Sequence, residues 1–185
     1  MGHGLALGRV ERPENRASLK EMIRAIDESS RSAGQLLDHA MVTFRTDSLS
    51  EEVVDLGEIL RETCARLEPA AGLKDVTIDC RTPADAPDFR GDWLLLQSAI
   101  QNILDNAVKY SPDDSVVDVR LTAGDEIRIA VTDRGRGFGG ADIEGLKRRF
   151  ARGTNVEDIV GSGLGLTIAD EVARAHGGRL DIATN

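Results

Sequence analysis

The two cysteines, Cys64 and Cys80, stand apart with no CxxC spacing between them. That argues against a disulfide framework or a thiolate zinc site and suits a reducing compartment. No apolar run approaches the roughly 20 residues that cross a bilayer, so any membrane anchor is expected outside this chain. The first ten residues are too short and glycine-rich for a signal peptide. There is no GxxxxGK[ST], which excludes a P-loop, and neither an internal repeat nor a low-complexity segment. Positive charge is also in deficit, with 23 Lys and Arg against 32 Asp and Glu for a net −9. An acidic surface of this kind repels phosphate backbones, so nucleic acid is not an expected partner. A small phosphorylated ligand remains compatible if one site supplies local donors.

What is present fits one ordinary domain with an appendage: 185 residues, 41% apolar and 30% charged, enough to bury a core. Residues 17–45 read as a single helix. Ser18 and Glu21 have capping-box spacing. Ile23, Ile26, Ser30, Ala33, Leu37, Ala40 and Phe44 then alternate steps of three and four, the rhythm of a coiled-coil or bundle seam. An ordinary core helix with a narrow apolar stripe is the other reading. Residues 46–52 break the pattern and make a plausible hinge.

Asp55 starts a second helix, with Glu58 in capping-box position and Leu56, Ile59, Leu60, Cys64 and Leu67 as its apolar face. Val76–Cys80 alternates like a half-buried strand, and residues 83–91 read as a loop. Asp92 can cap a long helix, Trp93 to Tyr110, that Ser111-Pro112 would end. Val116–Leu121 and Ile127–Val131 flank Gly124-Asp125 as a hairpin. A helix over 164–175 is closed by Gly177-Gly178, and 179–184 read as a last strand. The expected fold is α+β, a two-layer sandwich with helices on one face of a mainly antiparallel sheet, preceded by a helical hairpin or bundle segment.

Chemistry concentrates in three places. On the helix 93–110, Asn102, Asn106 and Lys109 project from nearly one side, beside an apolar face of Leu96, Ala99, Ile100, Ile103 and Ala107. Asparagine inside a helix costs about half a kcal/mol or more relative to alanine, so two on one face suggest a use for their amide oxygens. Those oxygens suit a hard cation such as Mg²⁺, and Lys109 suits phosphate oxygens; a merely solvated face is the alternative. Asp133-Arg-Gly135-Arg-Gly137 follows a strand, and its carboxylate could accept from an exocyclic amine while the glycines let backbone approach a flat ligand. Gly161-Ser162-Gly163-Leu164-Gly165-Leu166 leads into a helix, where backbone N–H groups form an anion site. Nine of the 19 glycines fall between Gly135 and Gly165, the pattern of a lid between two anchored ends. Phe150 could pack such a lid, and Arg149 or Arg152 could reach a terminal phosphate; a solvated basic helix over 147–152 is the alternative.

Taken in order, these pieces resemble the catalytic ATP-binding domain of two-component sensor histidine kinases, a member group of the GHKL or Bergerat-fold ATPases. The resemblance covers about 54–185, including the tail Ala173-Arg-Ala-His176-Gly-Gly178. It implies that ATP and Mg²⁺ are the ligands. Asn102 and Asn106 would hold the metal and phosphate, and Lys109 would contact phosphate. Tyr110 would lie along the nucleotide, Asp133 would bind the adenine amino group with Gly135 and Gly137 beside it, and 161–166 would cradle phosphates. It further implies transfer of the γ-phosphoryl group to a histidine and on to the receiver domain of a response regulator.

Residues 1–46, with Leu36-Leu37-Asp38-His39-Ala40, resemble part of the family's dimerisation and phosphotransfer bundle, implying homodimerisation through the N-terminal helices. A membrane-bound bacterial sensor whose cytoplasmic portion this is would be the setting, with any membrane contact through a region absent here. The family's acceptor motif, H-[ED]-x-[RK]-[TN]-P, surrounds none of His3, His39 and His176. The expectation is that the chain starts inside or after the first bundle helix and stops one strand short of the usual end. On that reading the isolated chain does not phosphorylate itself. The aromatic position ahead of Phe150 is Lys147, a departure that bears on lid closure and on Arg152. A hydrolytic ATPase or serine kinase of the same fold, and a non-catalytic nucleotide-binding dimerisation module, are the alternatives.

Overall fold

The computed structural model describes residues 49–84, 86–137 and 163–184, together with Leu19, Met22, Ile26, Gly34, Ala40, Val42, Arg45 and Gly145. The described positions of the predicted 17–45 helix are helical. Its capping pair, Ser18 and Glu21, and most of its seam lie outside the described residues, as does most of the predicted lid.

Among the described residues, three helices and five strands follow in the order β1 (Glu52–Val54), α1 (Leu56–Gly72), β2 (Thr77–Arg81), β3 (Phe89–Gly91), α2 (Trp93–Tyr110), β4 (Val116–Ala123), β5 (Ile127–Thr132) and α3 (Gly165–Ala175). The predicted start signals operate as read. Asp55 caps α1 by accepting from Glu58 N–H at 3.0 Å, and Asp92 caps α2 by accepting from the N–H groups of Leu94 and Leu95. At the end of α3, Gly177 takes a positive φ of 73° and Gly178 N–H closes onto Ala173 O at 2.8 Å, the conformation for which glycine has no steric penalty.

The main sheet runs β2-β4-β5. It is mixed: β2 lies parallel to β4, and β4 pairs antiparallel with β5 through the expected hairpin. The expectation of a mainly antiparallel sheet is corrected here, because α2 acts as the crossover that returns β4 alongside β2 in the same direction. A separate small ladder pairs β1, which begins at the last residue of the stretch read as a hinge, with β3, which lies in the stretch read as a loop. Its strands are three residues each, too short to display a period-2 pattern. Residues 179–184, expected as a strand, form no ladder among the described residues. They run alongside β5, with Arg179 reaching Glu126 before it and Thr184 approaching Gly137 after it.

Side-chain alternation decides which face of the sheet is covered. Val117, Val119 and Leu121 of β4 point inward and are buried. Asp118 and Arg120 point outward and pair with each other, as Asp79 and Arg81 do on β2. The inward face packs against Ile59, Leu60, Cys64 and Leu67 of α1 and against Ile100, Leu104, Ala107 and Val108 of α2. Cys64 is an ordinary member of this core. Burial, then a hydrogen bond with Cys80, pushes its thiol up to about 12, so it stays protonated and packs as a small apolar group.

The other side of α2 forms a second cluster, Leu95 and Ala99 with Leu164, Ile168, Ala169 and Val172 of the α3 region. Val42 of the N-terminal helix completes it, 1% exposed; the seam read from sequence did not include this residue. Ile26 and Ala40, which the seam did include, are exposed. Arg45 extends the same contact by donating to Asp92 at 2.9 and 3.2 Å. The Asp92 carboxylate, 2% exposed, thus serves as helix cap and ion-pair partner at once. His176 adds a third tie: its Nε2 accepts from Asp92 N–H at 3.0 Å, and its Nδ1–H donates to Val172 O at 2.8 Å.

Helix α2 is therefore buried along two faces, and truncation inside it should be costly. Leu104 is fully buried. Leu104→Ala is expected to lower the unfolding free energy by about 2–5 kcal/mol, measured by urea denaturation, with the slope of the transition unchanged.

Candidate functional site

The polar stripe of α2 faces the start of α3. Asn102 donates its Nδ2 to Ser98 O at 2.9 Å, a bond one turn back along the same helix that fixes the amide plane and leaves Oδ1 as the forward atom. A Cβ placed on Gly165 would lie 3.0 Å from that oxygen and 3.3 Å from Asn106 Nδ2. Both asparagines therefore close on the first residue of α3, and only glycine fits there without displacing them.

At its own start α3 has no side-chain cap: Leu164 stands in the N-cap position and offers no acceptor. Leu164 is buried, and Gly163 before it adopts a φ of 72°. Backbone N–H groups at an uncapped helix start are strong anion donors. Leu166 is half-buried. Gly161, Ser162 and Arg152 lie outside the described residues, as do Lys147, Arg149 and Phe150.

Asp133 sits where β5 ends, half-buried, and its Oδ1 accepts from Gly135 N–H at 2.7 Å. This local turn leaves the second carboxylate oxygen as an acceptor. A Cβ on Gly135 would come within 3.0 Å of the Tyr110 carbonyl, so the Asp133 turn rests directly on the last residue of α2. Gly137 takes a φ of 63°, the conformation its place in the glycine-rich turn requires. Lys109 places its Nζ 4.9 Å from the centroid of the Tyr110 ring, a cation–π arrangement. The two asparagines, in the C-terminal half of α2, thus face Gly165, and the aspartate turn rests through Gly135 on the last residue of the same helix.

Electrostatics on this stripe are mixed. Desolvation pushes the Asp105 carboxyl above its ordinary value, while Lys109 and a hydrogen bond with Gln101 pull it back. A hollow of about 570 Å³ lies at the β4–β5 turn, lined by Thr122, Gly124, Glu126 and Arg128 among others. It is at the opposite end of β5 from Asp133 and contains none of the motif residues.

Residues 91–185 match the family described as histidine kinase-, DNA gyrase B-, and HSP90-like ATPase. The chain belongs to the sensor histidine kinases of this ATPase family. It is 38% identical over 132 residues to the sensor-like histidine kinase SenX3 of Mycobacterium bovis, covering 70% of this chain and 32% of SenX3. To the signal transduction histidine-protein kinase/phosphatase MprB of Mycobacterium sp. (strain KMS) it is 33% identical over 172 residues, covering 91% of this chain and 32% of MprB. The chain therefore spans about a third of the length of these curated relatives. Among solved structures, a mycobacterial sensor histidine kinase MprB matches with a TM-score of 0.58 at 30% identity, over 69% of this chain and 80% of that one. Full-length ShkA in complex with AMPPNP shares the fold, with a TM-score of 0.68 at 23% identity, over 90% of this chain and 35% of that one.

Within the histidine kinase frame, Arg45 is one of the contacts that sequence reading missed. Its partner is 47 residues away, and no local pattern signals such a pair. Among the described residues no helix is long and apolar enough to cross a membrane.

Gly165 gives the sharpest test of this geometry. Gly165→Ala adds a methyl group against the movable ends of two side chains, not against backbone, while alanine favours helix by up to about 1 kcal/mol. The expected result is a melting temperature equal to or above the parent's, together with displaced Asn102 and Asn106 side-chain amide resonances in an NMR spectrum.

Proposed function

We propose that the chain is the nucleotide-binding part of a sensor histidine kinase, which binds Mg·ATP and presents its γ-phosphoryl group to a histidine. The carrying observation is the convergence of Asn102 and Asn106 on the uncapped start of α3 through Gly165. The donor set fits the ligands. The side-chain oxygens of Asn102 and Asn106 are neutral donors of the kind Mg²⁺ takes, and a resident Mg²⁺ would neutralise phosphate charge. The Asn106 amide, Lys109 and the N–H groups at 163–166 suit phosphate oxygens. On the other flank, Asp133 would accept from the adenine amine, with Gly135 and Gly137 allowing backbone close to the ring and Tyr110 alongside it. Residues 161–162 and Arg152 complete the set by the family pattern.

Phosphoryl transfer requires mainly positioning and charge neutralisation, and these residues supply both without any group that must gain or lose a proton. At position 102 an asparagine cannot act as a general base, which favours kinase over hydrolytic ATPase chemistry. The histidine that receives the phosphoryl group lies outside this sequence on our reading. His176 supports that, because both its ring nitrogens are engaged within the fold. The proposed organisation is a partial dimerisation and phosphotransfer segment over 1–46 and a catalytic domain over 54–185. Homodimerisation would run through the N-terminal helices, with a response regulator receiver domain as the downstream partner and the cytoplasmic face of a membrane sensor as the location.

Calorimetric titration with Mg²⁺ and a non-hydrolysable ATP analogue tests the nucleotide site. Saturable binding is expected for the parent, with affinity at least about tenfold lower for Asp133→Asn, whose amide nitrogen replaces an acceptor by a donor. Chelating the metal should weaken the analogue's binding further. Identical curves for parent and Asp133→Asn would refute the assignment of Asp133, and steady ATP turnover by the isolated chain would favour the hydrolytic alternative.

A further inference from the structure

The last turn of α2 leaves carbonyls without intrahelical partners. Ser111 N–H takes the carbonyl of Ala107 at 3.1 Å. The carbonyls of Val108 and Lys109 are taken by the ammonium of Lys74, at 3.1 and 3.0 Å, and the same Nζ donates to Ser111 O at 2.6 Å. An ammonium has three N–H donors, so Lys74 is saturated by three main-chain oxygens of one short segment. No carboxylate pairs with it among the described residues.

The backbone around Lys74 is built for this reach. Lys74 follows α1 in a tight turn, with its own N–H on Ala71 O at 2.9 Å and Asp75 at a φ of 52°. Lys74 O in turn accepts from Asp114 N–H at 3.2 Å. Main chain and side chain of one residue therefore grip both ends of the 108–114 segment. Ser111 Oγ is buried with no partner among the described residues, so the order of this turn depends on its carbonyls.

We infer that Lys74 is a positioning residue for the nucleotide: it fixes the turn that presents Lys109 and Tyr110 and on which the Asp133–Gly135 turn rests. This deepens, and rests on, the assignment of the ATP site. The mechanism is local. A cation at a helix C-terminus is favoured by the helix dipole, and here it replaces water on carbonyls flanking Tyr110, whose own carbonyl abuts Gly135. Arginine cannot reproduce the contact, because a planar fork does not converge three donors on one point.

The test compares the parent with Lys74→Met, Lys74→Arg and Leu121→Ala, the last a core truncation at the far end of β4, opposite Ile129. Affinity for the ATP analogue with Mg²⁺ is read by calorimetry, and amide hydrogen exchange is read on the nucleotide-free proteins. Lys74→Met is expected to bind the analogue about fivefold or more weakly, Lys74→Arg to fall between it and the parent, and Leu121→Ala to keep parental affinity. Exchange at Ser111 N–H should quicken in Lys74→Met beyond any change in Leu121→Ala. Parental affinity in Lys74→Met, or a loss no larger than that in Leu121→Ala, overturns the positioning role. Should the parent itself not bind, the ATP assignment fails, and exchange at Ser111 still decides whether Lys74 holds the turn: unchanged exchange overturns that too.

Discussion

The space between the start of α3 and the polar stripe of α2 is too small for a methyl group. At Gly165 a Cβ would sit 3.0 Å from Asn102 Oδ1, and the two helices are held at that distance by the apolar cluster of Leu95, Ala99, Ile168, Ala169 and Val172. Helix packing normally brings side chains together. Here a glycine lets two amides close on the first residue of a helix whose N-cap residue supplies no side-chain cap, the arrangement on which the proposed site for a charged ligand rests.

The ends of α2 are secured by different means. At its N-terminus, the buried carboxylate of Asp92 is shared between cap and ion pair, and His176 ties the same residue to the end of α3. A buried charge of this kind is tolerated because its oxygens are satisfied, and removing a partner would leave an uncompensated charge. At the C-terminus carbonyls meet the Lys74 ammonium instead. The N-terminal helix enters the same structure through Val42 and Arg45. The segment expected to dimerise is thus in direct contact with the helix that carries the proposed nucleotide-binding residues.

Much of this was legible in the sequence, for identifiable reasons. Helix α2 was read with the ends it has because Asp92 and Ser111-Pro112 are strong local signals. Helix α3 was off by one residue because Leu164 is an unusual cap. The hairpin was legible from Gly124-Asp125 between β-branched runs. Strands β1 and β3 were not, since three residues carry no period and their pairing is decided by tertiary contact. The parallel placement of β2 was equally hidden, because direction in a sheet depends on the crossover and not on the strand's own residues. For the proposed site, residue types and spacing singled out Asn102, Asn106, Asp133, Gly135 and Gly165, and the structure sets the asparagines against Gly165 and the Asp133 turn against Tyr110. Arg45 and Lys74 were invisible because each acts on a partner distant in sequence.

The central claim is that one metal–nucleotide unit spans from the asparagines to Asp133. Titration of labelled protein with Mn²⁺·ATP, followed by NMR, tests it most directly. The account predicts that the side-chain amide signals of Asn102 and Asn106 broaden from the nearby paramagnetic ion while the Gly135 N–H resonance shifts at the same ligand concentration. Broadening at the asparagines with Gly135 unmoved at saturation, or responses that saturate at different concentrations, would contradict it.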